Sequence, residues 1–201
     1  EVFITYGRDP VGEGIGPALE CRDVLNSLQG KGPADLVQKS CKLAGAVLEL
    51  CGKVEPGRGY AVASDLLQSG KAYEKMKEII EAQGGNPKIR AEDLPIGQYK
   101  EAFWAEGDGR IHLVDNTGIN RIARAAGAPK SRGAGVILHV ESGDKVKKGQ
   151  PLYEIVAESE AKLSYAVEMA RDLSPIELEE IILGKMGAAG VFEWKPEKAE
   201  K

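Results

Sequence analysis

Apolar residues in this chain of 201 residues recur at two different periods, and the change between them limits the fold more than any other feature. From Gly16 to Gly85 they fall at i, i+3, i+4 and i+7, the spacing that lines one face of a helix. Four helices are predicted, on the stripes Cys21, Val24, Leu25, Leu28; Ala44, Val47, Leu48, Cys51; Val62, Leu66, Leu67; and Met76, Ile79, Ile80. Pro17 suits a first helical turn, and Gly30, Gly32, Gly52, Gly70 and Gly84 supply stops. Ahead of the helices, Glu1 to Thr5 reads as a strand.

After the loop from Asn86-Pro87 to Pro95-Ile96-Gly97 the pattern shifts to short strands and tight turns. Phe103 to Ala105 and Ile111 to Val114 flank Asp108-Gly109, which predicts a β-hairpin. A helix on Ile119, Ile122, Ala123 and Ala126 follows, then an alternating strand on Val136, Leu138 and Val140. The turn Ser142-Gly143-Asp144, a strand after Gly149-Gln150-Pro151 and a helix on Leu163, Ala166, Val167 and Ala170, N-capped by Ser159, come next. Pro175 to Leu183 fits a strand or a helix, and the strand is preferred. The expected division is an α/β part at residues 1–95, mainly helical, an α+β module at 96–184 and a tail at 185–201, whose end from Pro196 to Lys201 has nothing to bury and is expected to be mobile.

Composition narrows the function classes. A net charge of -4 with both signs interspersed argues against a nucleic-acid surface. No apolar run approaches the ~20 residues of a membrane span, and no signal segment opens the chain, so a cytoplasmic location is expected. The first residue is not Met, which suggests a start inside a longer polypeptide. Cys21, Cys41 and Cys51 match no metal spacing and are expected to be buried reduced thiols. The share of charged residues, 29%, leans toward a heat-adapted source.

Few residues carry chemistry on their own. Gly12-Glu13-Gly14-Ile15-Gly16-Pro17 lies between strand and helix, where backbone N–H groups can cradle phosphate. A dinucleotide fingerprint would need Gly where Pro17 stands, and the run is read as a structural turn. His112 and His139 are read as strand histidines without a metal. The lysines of Asp144 to Gly149, and the carboxylate pairs Glu179-Glu180 and Asp9 with Glu13, are read as charged surface. No catalytic residue, cofactor or metal ligand is assigned.

Two resemblances add to this. Gly143-Asp144 to Leu152 resembles the turn of biotinyl and lipoyl carrier domains, but without the Met-Lys-Met of a biotinyl carrier, so a carrier or binding module is the alternative reading. Far more of the chain resembles the thymidine phosphorylase and pyrimidine-nucleoside phosphorylase family. The matching stretches, in order, are Ile4 to Glu20, Gly32 to Leu36, Ser69 to Ala72 with Glu81 to Gly85, Ala105 to Asp115 and Gly127 to Leu152. Gly14 to Glu20, and Pro129-Lys130 ahead of Gly133-Ala134-Gly135, are most similar to the archaeal AMP phosphorylase branch.

The resemblance implies a C-terminal portion of a pentosyltransferase that cleaves an N-glycosidic bond with inorganic phosphate. The substrate would be a nucleoside, or in the AMP branch a nucleoside 5'-monophosphate giving ribose 1,5-bisphosphate. It implies no cofactor beyond phosphate as co-substrate, a barrel-sandwich or hammerhead-like second module, a homo-oligomer and the upstream polypeptide as partner. The family's phosphate loop, its S-G-R signature and its base-contacting acid and Lys have no counterpart in this sequence, so the chain alone is expected to be inactive. Tyr6 and Ile15 are the residues implied to line the base side of the pocket.

Overall fold

The computed structural model describes residues 2–5, 7 and 9–179. Helices α1 (Pro17–Leu28), α2 (Ala34–Leu50), α3 (Gly59–Gln68) and α4 (Lys71–Ala82) fill the first half, as the 3.6-residue period predicts. Pro17 occupies the first turn of α1, and Gly70, at φ 76, separates α3 from α4. A short 3-10 turn, Ala91–Asp93, leads into the second half. There β2 (Tyr99–Trp104), β3 (Gly109–Val114), α5 (Asn116–Ala126), β4 (Gly135–Leu138), β5 (Lys145–Val146), β6 (Pro151–Ala157), α6 (Glu160–Leu173) and β7 (Ile176–Glu179) follow in order. The molecule is a mixed helix and sheet structure. Ile176–Glu179 resolves the described part of the ambiguous segment as a strand; its continuation to Leu183 and the tail lie outside the described residues.

A two-residue strand ahead of α1, β1 (Gly14–Ile15), joins a sheet of the second half. The four-stranded order is β1-β4-β6-β2, antiparallel throughout, with Ile15 opposite Val136. A second, three-stranded antiparallel sheet, β5-β3-β7, contributes Ile111, Val114 and Val146 to the same core.

The predicted β2–β3 hairpin does not form, since the two strands belong to different sheets. The groups that a hairpin would pair are taken elsewhere: Ala105 N–H donates to the Gln150 carbonyl and the Ala105 carbonyl accepts from Gly149. Asp108 accepts from Lys148 N–H, so the Asp-Gly turn ties one sheet to the loop before β6. The strand expected at the start is also absent over residues 2–5. Val2 and Ile4 stand almost fully exposed, and nothing among the described residues pairs with their backbone.

Packing explains where the strand pattern works. Val136, Leu138 and Val140 face the main core with Ile119, Ile122, Ala126, Ile155 and Ala166. The intervening Ile137 is buried on the other face, with Leu19 of α1 and Val156. The sheet is therefore covered on both sides, which makes β4 buried throughout rather than alternately. Asp115 caps α5, its carboxylate accepting from Thr117 and Gly118 N–H at 3.0 Å each. Ser159 sits at the N-cap of α6 as expected, but its side chain makes no capping bond.

The helical stripes are corrected by the same measure. On α1 the buried face carries Ala18, Leu19, Asp23, Leu25 and Ser27, while Cys21 and Val24 are exposed. On α2 only Cys41 and Gly45 are buried, and Val47 and Leu50 stand 57% exposed. Helix α4 buries no residue at all. Helix α2 meets α3 through glycine instead: a Cβ on Gly45 would lie 2.5 Å from the Gly59 carbonyl carbon, so the backbones touch where large side chains cannot fit. Of the three free thiols only Cys41 is buried, and burial pushes its pKa up; Cys21 and Cys51 are exposed, contrary to expectation. No helix among the described residues is long and apolar enough to cross a membrane.

Candidate functional site

The glycine-rich run is where the two halves meet. Ala18 N–H donates to the Arg132 carbonyl and Leu138 N–H to the Glu13 carbonyl, on either side of the β1–β4 pairing. Gly16 adopts φ 133, and a Cβ there would stand 2.3 Å from the Ala134 carbonyl oxygen. Only glycine permits that approach.

The turn's N–H groups, the feature that could cradle phosphate, are engaged by carboxylates of the chain itself. Asp23 Oδ2 accepts from Glu13 at 2.9 Å and Gly14 at 2.6 Å. Asp35 Oδ2 accepts from Gly12 at 2.8 Å, and Glu20 Oε1 from Gly16 at 3.0 Å. Glu141 lies in the same surroundings. Partial burial first, then the fields of Asp35, Asp144, Glu13 and Asp9, hold its carboxyl above the usual carboxylate range. An incoming phosphate would have to displace these carboxylates before the turn's N–H groups could grip it.

Beside the turn is a cavity of about 420 Å³. Val11, Ile15, Val24 and Leu36 supply apolar wall, Asp9, Glu20 and Asp23 carboxylates, and Asn116 and Asn120 of α5 amides. Ile15 thus borders a cavity, with most of its side chain in the core at 9% exposure; Tyr6 lies outside the described residues. Asn120 Nδ2 donates to both the backbone and side-chain oxygens of Asn116 at 2.8 Å, fixing the amide pair on the cavity rim. Asp9 keeps one buried oxygen, Oδ1, without a hydrogen-bond partner.

The other candidates remain dispersed. His112 on β3 and His139 after β4 are exposed, and no cluster of three or more His, Cys, Asp or Glu fit for a metal occurs among the described residues. Lys145, Lys147 and Lys148 are exposed along their turn, and Glu180 lies outside the described residues. Sequence reasoning missed Asp23, Asp35, Asn116 and Asn120. The signal for Asp23 was available: it falls one helical turn after Leu19, on the face that Leu19 buries.

Comparison with known proteins places this arrangement. Residues 111–177 match the family profile of the pyrimidine nucleoside phosphorylase C-terminal domain. The chain thus matches the pyrimidine nucleoside phosphorylase family twice over, through that C-terminal domain and through similarity to AMP phosphorylases along most of its length. Among its relatives, the AMP phosphorylase of Pyrococcus horikoshii is 52% identical over 188 residues, 93% of this chain and 37% of that protein. The AMP phosphorylase of Thermococcus kodakarensis is 50% identical over the same shares. That of Methanosarcina barkeri is 46% identical over 194 residues, 96% of this chain and 38% of the relative. The chain therefore spans little more than a third of the length of these curated relatives.

Proposed function

We propose that this chain is the C-terminal part of a nucleotide phosphorylase that converts AMP, or another nucleoside 5'-monophosphate, and inorganic phosphate to free base and ribose 1,5-bisphosphate. The observation that carries the reading is identity of about half the residues with AMP phosphorylases across more than nine-tenths of the chain. A nucleoside such as thymidine, giving a sugar 1-phosphate, is the alternative substrate within the same family. Phosphate is the co-substrate and no cofactor is required.

In this reading the present residues supply framework and one wall of the site, at Ile15 and its neighbours, while the rest of the polypeptide supplies the phosphate anchor and the groups that polarise the base. Such a reaction depends on holding sugar and phosphate in register and stabilising charge on the departing base. The exposed apolar residues Val47 and Leu50 of α2 and Ile79 of α4 are faces for the remainder of the polypeptide. The reading extends to a cytoplasmic homo-oligomer, to a division of the chain near residue 95 and to a barrel-sandwich relationship for the second module.

The test is release of sugar phosphate from AMP, CMP, uridine and thymidine with phosphate, by the full-length polypeptide and by this chain alone. Activity on nucleotides by the full-length protein and none by the chain is expected. Comparable turnover by the chain alone would overturn the division of roles, and absence of phosphorolysis in both would overturn the reaction.

A further inference from the structure

We infer that Asp23 is a positioning residue: with Asp35 it acts as a built-in anionic occupant of the glycine turn, holding Gly12 to Gly14 so that Val11, Gly14 and Ile15 form a fixed wall of the adjoining cavity. The inference rests on the reading above in one respect only, that the cavity belongs to the substrate site.

Asp23 is 3% exposed, on a helix face otherwise committed to packing. A carboxylate so deeply placed requires donors, because its desolvation is otherwise uncompensated. It finds them in two consecutive backbone N–H groups, Glu13 and Gly14, both bonded to Oδ2. Arg22 adds a distant charge, Nε lying 3.7 Å from Oδ1. Hydrogen bonds to an ionised acceptor are stronger than neutral ones, so the turn is held where those bonds are shortest.

The fit is mutual. Gly12 adopts φ 80, and a Cβ on it would approach Asp23 Oδ2 to 3.1 Å and Leu36 Cδ2 to 3.6 Å. A Cβ on Gly14 would lie 2.7 Å from the Leu19 carbonyl, so α1 packs directly against the turn there. On its other side the turn borders the open cavity that Val11, Gly14 and Ile15 line, which is where it has room to move. Replacing the carboxylate by an amide turns two charge-assisted bonds to one oxygen into neutral, weaker ones and loosens the wall they hold. Asp35, from the first turn of α2, secures the remaining corner through Gly12.

The decisive measurement uses Asp23→Asn and Asp35→Asn in the full-length polypeptide, with KM determined separately for nucleotide and for phosphate. Displacement of a positioning wall should raise the nucleotide KM of Asp23→Asn by roughly 10- to 100-fold, while the phosphate KM stays at the wild-type value. A merely structural role would lower the active fraction and leave both KM values unchanged, which overturns the inference. In this chain, amide exchange followed by NMR should quicken about tenfold at Glu13 and Gly14 in Asp23→Asn, and at Gly12 in Asp35→Asn. If Asp23→Asn fails to fold, Asp35→Asn, which weakens a single N–H bond, should show the same KM split in milder form. Should the full-length protein lack phosphorolysis, the proposed function falls but the clamp is still decided: unchanged exchange at these amides overturns it.

Discussion

Gly135 lies so close against Ile15 that a Cβ on it would stand 2.0 Å from the Ile15 carbonyl oxygen. This contact, within the β1–β4 pairing, joins the glycine turn to the sheet of the second half. Backbone here cannot move aside without breaking the ladder. Gly135→Ala should therefore cost about 3 kcal/mol or more, by overpacking. Gly52→Ala is the control: its Cβ would meet nothing within 4 Å, so only the left-handed backbone at φ 62 is penalised, by ~1–2 kcal/mol. Urea unfolding of both variants checks the order, and equal losses would refute the role given to the junction.

Asp115 begins α5 by accepting two N–H groups of its first turn. Its own N–H donates to the Pro175 carbonyl, which ties the start of α5 to the segment entering β7. Asp115→Ala should destabilise the chain by about 1 kcal/mol, and Asp115→Asn by less, because the amide oxygen still caps. Thermal unfolding of the pair would disprove the cap if both lost the same amount.

Core and exposed apolar residues should respond differently. Ile155 is fully buried between α5 and its neighbouring strands, so Ile155→Ala should cost ~2–5 kcal/mol. Val47 is 57% exposed, so Val47→Ala should change the stability of this chain by no more than about 0.5 kcal/mol. In the full-length polypeptide, where the proposal covers the α2 face, the same Val47→Ala should become clearly destabilising. Equal effects in chain and full-length protein would show that this face stays open.

Glu141 gives a pH dependence of definite sign. Its folded-state pKa is raised above the ordinary 4.5 by partial burial first, then by Asp35, Asp144, Glu13 and Asp9. A raised carboxylate pKa means that the folded chain holds this proton more tightly than the unfolded one. The contribution to stability is complete below pH 4.5 and is lost as pH rises through the raised folded value. Glu141→Gln should match the wild type at the acid end and gain on it over the window just above pH 4.5, then keep a constant advantage to neutral pH. Parallel stability curves across that range would rule out the effect.

What could be read from the residues differed by element. The existence of α1 to α4 followed from period and punctuation, since Pro17, Gly30, Gly52 and Gly70 act through local backbone geometry. The Val136, Leu138, Val140 pattern was legible because one face of β4 meets the main core. The β2–β3 hairpin was misread because Asp108-Gly109 permits a turn but does not choose a partner, and the loop at Gly149-Gln150 took the bonds of Ala105. Cys21 and Cys51 were misplaced because period identifies an apolar stripe without saying whether anything covers it.

The succession of helices and strands, the turn-forming glycines and the collinear family motifs are all legible in the residues, because each depends on neighbours within a few positions or on order along the chain. Three-dimensional packing was needed to bring β1 into the second half's sheet, to set Asp23 and Asp35 on the N–H groups of the glycine turn, and to place Ile15 and Asn116 on one cavity. Those relationships join residues from 9 to 100 or more positions apart. Hydrogen bonds, burial and excluded volume act through space at a few ångströms, and no local period of side chains records which distant segments will lie within that reach.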